Sequence, residues 1–357
     1  MKNIITLFSF ILIITSCDVV EGPYNITEDC AGIVAGNNIC GCTDTLAFNF
    51  NIVATFEDGS CVYDSITYGC IDSLAINFDS TANVDNGSCV YDTSSITFIK
   101  KILIEDFTGH TCQNCPSAAR ELEAIHSIYG DQIIGIALHV SKTFARPYPS
   151  SQAPNYQYDF RTKWGKEWDD LFGISAIGLP GGLVNRIGYP NEHRLGKDEW
   201  LARVITELEK EVDFGISITT NMTENEGVIT INTEILNNIN GDYNLVVCLS
   251  EGNIINWQKD GSEDVENYEH NHAFRSLLSD ANLSNSSNYS IADKIEQTIS
   301  VNLNTLEQFN INYSQNTAEL GNGNAGGWNA NNMSVVAYIY NTNTKEIVQV
   351  EEAHLNN

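Results

Sequence analysis

Two stretches of the chain are copies of one another, and that duplication limits what its first quarter can become. Residues 41–64 read GCTDTLAFNFNIVATFEDGSCVYD and residues 69–92 read GCIDSLAINFDSTANVDNGSCVYD, a 28-residue period with 14 of 24 positions identical and no gap. A unit this short buries too little apolar surface to hold itself together, so its cysteines are the natural staples. The spacing predicts Cys42 with Cys61 and Cys70 with Cys89, which leaves Cys30 for Cys40. Each closed loop is worth about 3 kcal/mol in the chain-entropy account of a cross-link. With no CxxC and no histidine inside the repeats, they do not have the spacing of a zinc site.

Ten cysteines in 357 residues suit an oxidising compartment, and the N-terminus agrees. Lys2 precedes the apolar run Ile4 to Thr15, too short to span a bilayer and laid out like a secretory signal. The segment Ile14-Thr15-Ser16-Cys17 resembles a bacterial lipobox. That resemblance implies a signal peptide over 1–16, a lipid on Cys17 and a linker over 17–40. No other stretch is apolar enough for a membrane helix, so the lipid is the expected anchor. Lys plus Arg number 18 against 46 Asp plus Glu, a net charge of −28 at pH 7. With no basic cluster to neutralise phosphates, the chain has no use for nucleic acid as a partner.

The repeats, over 41–96, resemble short cysteine-bounded, aspartate-rich units found in tandem in exported proteins of Gram-negative bacteria. Asp72, Asn77, Asp79 and Asp85 offer hard oxygens that suit calcium, and Asp44, Asn49 and Asp58 sit comparably in the first copy. They lack the every-second-residue order of a calcium loop, and a stalk whose Asp and Asn side chains cap turns accounts for them as well. No other cofactor is expected.

The middle of the chain carries chemistry. Ile99 to Phe107 reads as a buried strand, then come Cys112-Gln113-Asn114-Cys115, a helix from Pro116 to Tyr129 and a second buried strand from Gln132 to Val140. Strand, CxxC, helix and strand make a β-α-β unit with the cysteines at a helix N-terminus, where free amides and the helix dipole favour a thiolate. Pro116 suits the first turn. His110, two residues before Cys112, is placed to lower the thiol pKa if it is protonated.

This order is similar to a thioredoxin fold. The resemblance implies that Asp106, six residues before Cys112, is the buried acid, that Pro180 in LFGISAIGLPGGLVN is a cis-proline facing Cys112, and that Gly196 to Val212 is the closing helix. The thioredoxin-like α/β domain is then expected over 97–212, with an insertion at about 141–170 rich in Tyr and Trp. From 213 to 357 the pattern turns to alternating strands, read as a C-terminal β-sandwich with Cys248 as a buried free thiol. His270 and His272 fit hydrogen-bonded or packing residues better than metal ligands.

KKILIEDFTGHTCQNCPSAARELEAI, YDFRTKWG, LFGISAIGLPGGLVNR, YEHNHAFR and VVAYIYNTNTKEIVQVEEAHL together resemble the family related to the 28-kilodalton outer-membrane protein. That implies a lipid-anchored outer-membrane protein, on the periplasmic face or the cell surface. Two functions follow as expectations. One is a binding or adhesion module on a thioredoxin-like scaffold whose CxxC is a permanent disulfide. The other is thiol-disulfide exchange with a protein or small thiol substrate, in which Cys112 attacks, Cys115 resolves, Asp106 handles the proton and Pro180 positions the peptide.

Overall fold

The computed structural model describes residues 27–63, 67–73, 75, 77–89 and 97–356. The signal peptide, Cys17 and the first part of the linker lie outside the described residues. The chain divides into two compact units, Met1–Ile96 and Thr97–Asn357. Five α-helices and 18 strands among the described residues make it a mixed protein of helices and several sheets.

In the first unit the sequence period recurs as a structural one. β1 (Cys40–Gly41) pairs in parallel with β2 (Phe56–Glu57), and β3 (Tyr68–Gly69) pairs in parallel with β4 (Val84–Asp85), the same register 28 residues on. Disulfides join Cys30 to Cys40, Cys42 to Cys61 and Cys70 to Cys89. The buried apolar residues are few: Cys42, Ala47, Cys70 and Ala75. Leu46, Phe48 and Ile52 are more than four-fifths exposed. Cross-links and side-chain caps, not a core, define this unit.

The second unit is built on β5 (Ile102–Thr108), α1 (Cys115–Tyr129), β6 (Ile133–His139), α2 (Lys163–Phe172), α3 (Ile174–Ile177), β7 (Gly181–Val184) and α4 (Lys197–Leu208). There follow β8 (Phe214–Thr223), β9 (Glu226–Ile235), β10 (Ile239–Asn240), β11 (Tyr243–Glu251), β12 (Ile254–Asp260), β13 (Glu263–His270), β14 (Ala273–Asn282), β15 (Asn288–Tyr289) and β16 (Lys294–Asn302). α5 (Leu303–Asn316), β17 (Met333–Asn341) and β18 (Ile347–His354) complete it.

One seven-stranded sheet, ordered β18-β17-β11-β14-β6-β5-β7, runs across the expected boundary at 212/213. Its two parts meet at a single parallel pair, Ala273 with Ala137. Residues 97–357 therefore form one unit where the sequence suggested two domains. Period-two alternation assigns the faces. On β11 and β17, Leu245, Val247, Leu249, Val335, Ala337 and Ile339 face a core shared with the antiparallel sheet β16-β9-β8. The intervening Val246, Cys248, Val336 and Tyr338 face a second core with Leu103, Phe107, Trp168 and Phe172. On β5, Ile102 and Ile104 point the other way, into a third core beneath α1 and α4 with Leu122, Ile125, Trp200 and Val204.

Candidate functional site

The β5 strand delivers the chain into a turn in which the Cys112 amide donates to the Gly109 carbonyl, 3.0 Å. α1 begins at Cys115 with Pro116 in its first turn, where a missing N–H costs nothing. Cys112 and Cys115 form a disulfide, and they are 2% and 1% exposed. Gly109 is required by the loop opposite, because a Cβ there would lie 2.4 Å from the Phe144 carbonyl oxygen. That same carbonyl accepts from the Thr111 amide at 3.0 Å and hydroxyl at 2.9 Å.

Asp106 projects from β5 on the α1 side. It is 2% exposed and its Oδ1 has no hydrogen-bond partner. Burial pushes its carboxyl up to about 7, with His272 pulling the other way. Asp106 and Cys115 line one cavity of about 100 Å³, with His139, Gln258, Tyr268 and His270 on its walls. The volume is several times what one water needs, and polar side chains share the walls with Pro116, Ala119, Leu122 and Ala137. Glu123 and His272, 3.3 Å apart, line this cavity and also an open groove of about 670 Å³ outside it. The hydrogen bond from His272 holds the Glu123 carboxyl below its ordinary range. On the other side of the disulfide, the Leu179–Pro180 peptide is cis, and Leu179 shares with Cys112 a surface groove of about 520 Å³.

The β12–β13 hairpin lies against the CxxC loop as a strap. The Lys259 amide donates to the His110 carbonyl and the Gly261 amide to the Gln113 carbonyl, both at 2.8 Å. The buried Gln258 amide donates to the carbonyls of Cys112, 3.3 Å, and Gly109, 3.4 Å. Asp260 takes an ion pair at 2.8 Å from Arg120 on α1. The strap turns at Gly261-Ser262, where Gly261 has φ +60°, the left-handed value a tight hairpin demands.

The sequence profile of the family described as Outer membrane protein Omp28 matches residues 166–357, more than half of the chain. The chain belongs to that family. The matched span holds Pro180, the strap and the far half of the sheet, and the CxxC precedes it. This Omp28-family chain resembles, among solved structures, HBP35 of Porphyromonas gingivalis over 73% of its own length and 76% of that chain, at 16% identity and a TM-score of 0.51. A protein from Agrobacterium tumefaciens aligns over 73% and 96%, with 12% identity and a TM-score of 0.43. A domain of the outer membrane lipoprotein Omp28 from Porphyromonas gingivalis aligns over 41% and 89%, with 14% identity and a TM-score of 0.23. No curated protein matches. Membership groups the chain with outer-membrane proteins, and no helix among the described residues is long and apolar enough to cross a membrane.

Other expected residues of the Omp28-family chain fall as follows. His110 is not an imidazolium at neutral pH: burial pushes it down to about 4, and its Nε2 lies 3.0 Å from the Arg146 carbonyl. His139 and His270 are likewise buried and held neutral, the first stacked on Phe160 at 4.4 Å between ring centres and the second tilted against it at 4.5 Å. The 141–170 insertion supplies Phe160, Tyr156 and Tyr158 to these buried surroundings and Trp168 to the sheet core. In the repeats, Asp79 Oδ1 accepts from the Thr81 amide and hydroxyl, Asp85 Oδ1 from the Gly87 amide, and Asn77 donates to the Ser88 carbonyl. Asp44 and Asp58 cap turns in the first copy in the same way, and Asp72 lies in the equivalent turn of the second, its carbonyl accepting from the Ala75 amide. Among the described residues the one tight group of metal-ligand types is Cys42, Glu57 and Cys61, whose sulfurs are already bonded to each other. Cys248 is a buried free thiol, its pKa raised by burial. Sequence reasoning missed the strap, the Glu123–His272 pair and Arg146. It also missed Arg186, which holds the buried Glu105 through two contacts of 2.7 and 2.6 Å.

Proposed function

We propose that this chain is a lipid-anchored thiol-disulfide exchange protein of the outer membrane, built on a thioredoxin-like frame that continues into a sandwich-like β half. Asp106 carries the reading. A buried carboxyl without a partner is costly in a merely structural role, and native proteins rarely keep one. On the wall of a cavity it shares with Cys115 it has a use, because a group titrating near 7 can take and return a resolving thiol's proton. Leu179, which precedes Pro180 and lines the groove with Cys112, supports the same reading by placing this segment where a peptide substrate would lie. Cys17, outside the described residues, is the proposed site of the lipid, and the repeats act as a stapled spacer.

The strap favours a second reading, a binding module whose CxxC is a permanent staple, since four hydrogen bonds from the hairpin hold the loop carbonyls. The reduction potential of the pair separates the two. The full chain carrying Cys248→Ser is equilibrated against glutathione buffers, and Cys112 and Cys115 are quantified by alkylation and mass spectrometry. Exchange predicts a value between about −120 and −270 mV, and a value below about −300 mV makes the pair a staple.

A further inference from the structure

The groove that Cys112 lines is set apart by having cations and no carboxylate in its lining. The chain holds 46 acidic residues against 18 Lys and Arg. The 670 Å³ groove carries Glu123, Asp131, Glu351 and Glu352 against Lys101, and a third groove, of about 540 Å³, sets Glu167, Asp169, Asp170 and Glu319 among Lys142, Arg161, Lys163 and Lys166, so in both the cations have carboxylates beside them. The groove at Cys112 has no carboxylate in its lining. Its walls include Phe144, Arg146, Tyr148, Leu179 and Lys259. Lys259 is shared with Asp264 at 3.2 Å, but Arg146 has no ion-pair partner among the described residues. The backbone that carries Arg146 is held against the CxxC loop through its own carbonyl to His110 and through the Phe144 carbonyl to Thr111.

We infer that the substrate is an acidic peptide thiol, one with a carboxylate beside its cysteine, which Arg146 binds as Cys112 engages the sulfur. The inference rests on the exchange reading and names its substrate class. An unpaired guanidinium next to a carboxylate-free wall is matched to a planar anion, which it can hold by two parallel hydrogen bonds. The acidic surface elsewhere repels such a substrate only at long range, and at physiological salt that repulsion is screened beyond about 8 Å.

The chemistry balances with what the molecule holds. A substrate thiolate attacks Sγ of Cys112, the substrate–Cys112 bond forms as the Cys112–Cys115 bond breaks, and Cys115 leaves as a thiolate. A second substrate thiolate attacks the substrate sulfur of that mixed disulfide and expels Cys112 as a thiolate. The substrate loses two electrons and becomes a disulfide, the pair gains them, and the two substrate protons end on Cys112 and Cys115, the latter by way of Asp106.

The test uses the full chain and three synthetic peptides, each with two cysteines flanked by Glu, by Gln or by Lys, at 0.15 M salt. The Glu peptide should be oxidised about three- to tenfold faster than the Gln peptide, and the Lys peptide more slowly than either. Arg146→Ala should bring the Glu-to-Gln ratio to within about twofold of unity, and Arg146→Lys, which keeps the charge but loses the paired hydrogen bonds, should give a ratio between those of Arg146→Ala and the wild type. Equal rates for the three peptides in the wild type, or a ratio that Arg146→Ala leaves unchanged, overturns the assignment while exchange itself stands. A fall in all rates by one factor also overturns it, since Arg146 then acts on the thiolate rather than on the substrate. If the wild type oxidises none of the peptides, the exchange reading fails and this inference with it.

Discussion

Adjacent residues on β5 place two carboxylates on opposite faces of one sheet, and the molecule treats them in opposite ways. Glu105 is fully buried and met by Arg186 at both oxygens, with the guanidinium also donating to the Tyr338 hydroxyl at 2.8 Å and resting 4.7 Å from the centre of the Phe172 ring. Asp106 is as deeply placed and has an oxygen with no partner. The first arrangement fixes the packing of α2, β7 and β17 around one charge pair. The second keeps an acid uncommitted beside a cysteine. Satisfied buried charge is architecture, and unsatisfied buried charge marks where protons move.

The comparison can be pressed with acid first. His110, His139 and His270 stay neutral in the folded chain, to about 4 for His110 and about 3 for His270, whereas in the unfolded chain each takes a proton near 6.5. The unfolded state binds more protons in that window. Stability should therefore fall as pH drops from about 6.5 to 4, by on the order of 5 kcal/mol or more, seen as a shift in urea midpoint. Next in size, Arg186→Met strands Glu105 and should cost about 3–5 kcal/mol, most of which the double variant with Glu105→Gln or Glu105→Met recovers. Asp106→Asn should behave in the reverse sense. The native state keeps the Asp106 proton to about 7 while the unfolded chain releases it near 4, so Asp106 costs stability as pH rises through that interval. The variant should be more stable than wild type at pH 8 by on the order of a few kcal/mol, and should lose the rise in exchange rate with pH that Asp106 imposes. Smallest is Gln258→Ala, about 1 kcal/mol by calorimetry, with faster reaction of Cys112 towards a small dithiol because the strap is loosened.

Much of this was legible in the sequence, and the gaps have physical reasons. The repeat register follows from the period, and the 133–139 strand from the almost wholly apolar run IIGIAL. The strand from Tyr243 to Glu251 and that from Met333 to Asn341 match the alternating patterns residue for residue. The strap was illegible because EDVENYEH, with two apolar-bodied residues in eight, has no apolar period, and its position is set by backbone bonds to a loop far away in sequence. α5 was missed for a similar reason: LNTLEQFNINYSQN is rich in Asn, and its inner face includes the buried polar residues Asn310 and Ser314. That one sheet continues across 212/213 was not legible because a single residue pair, Ala137 with Ala273, carries it there. Arg146 shows no local pattern at all; it matters only because the groove around it lacks acids.

The strap also sets an order of events in time. Gln258 lies 146 residues after Cys112, so in a chain exported N-terminus first the cysteine pair is outside and open to the oxidising compartment long before the hairpin that covers it has been made. In that order the pair can close its disulfide in an uncovered loop before the strap seals it, and a chain that stops short of Ile254 presents the pair bare.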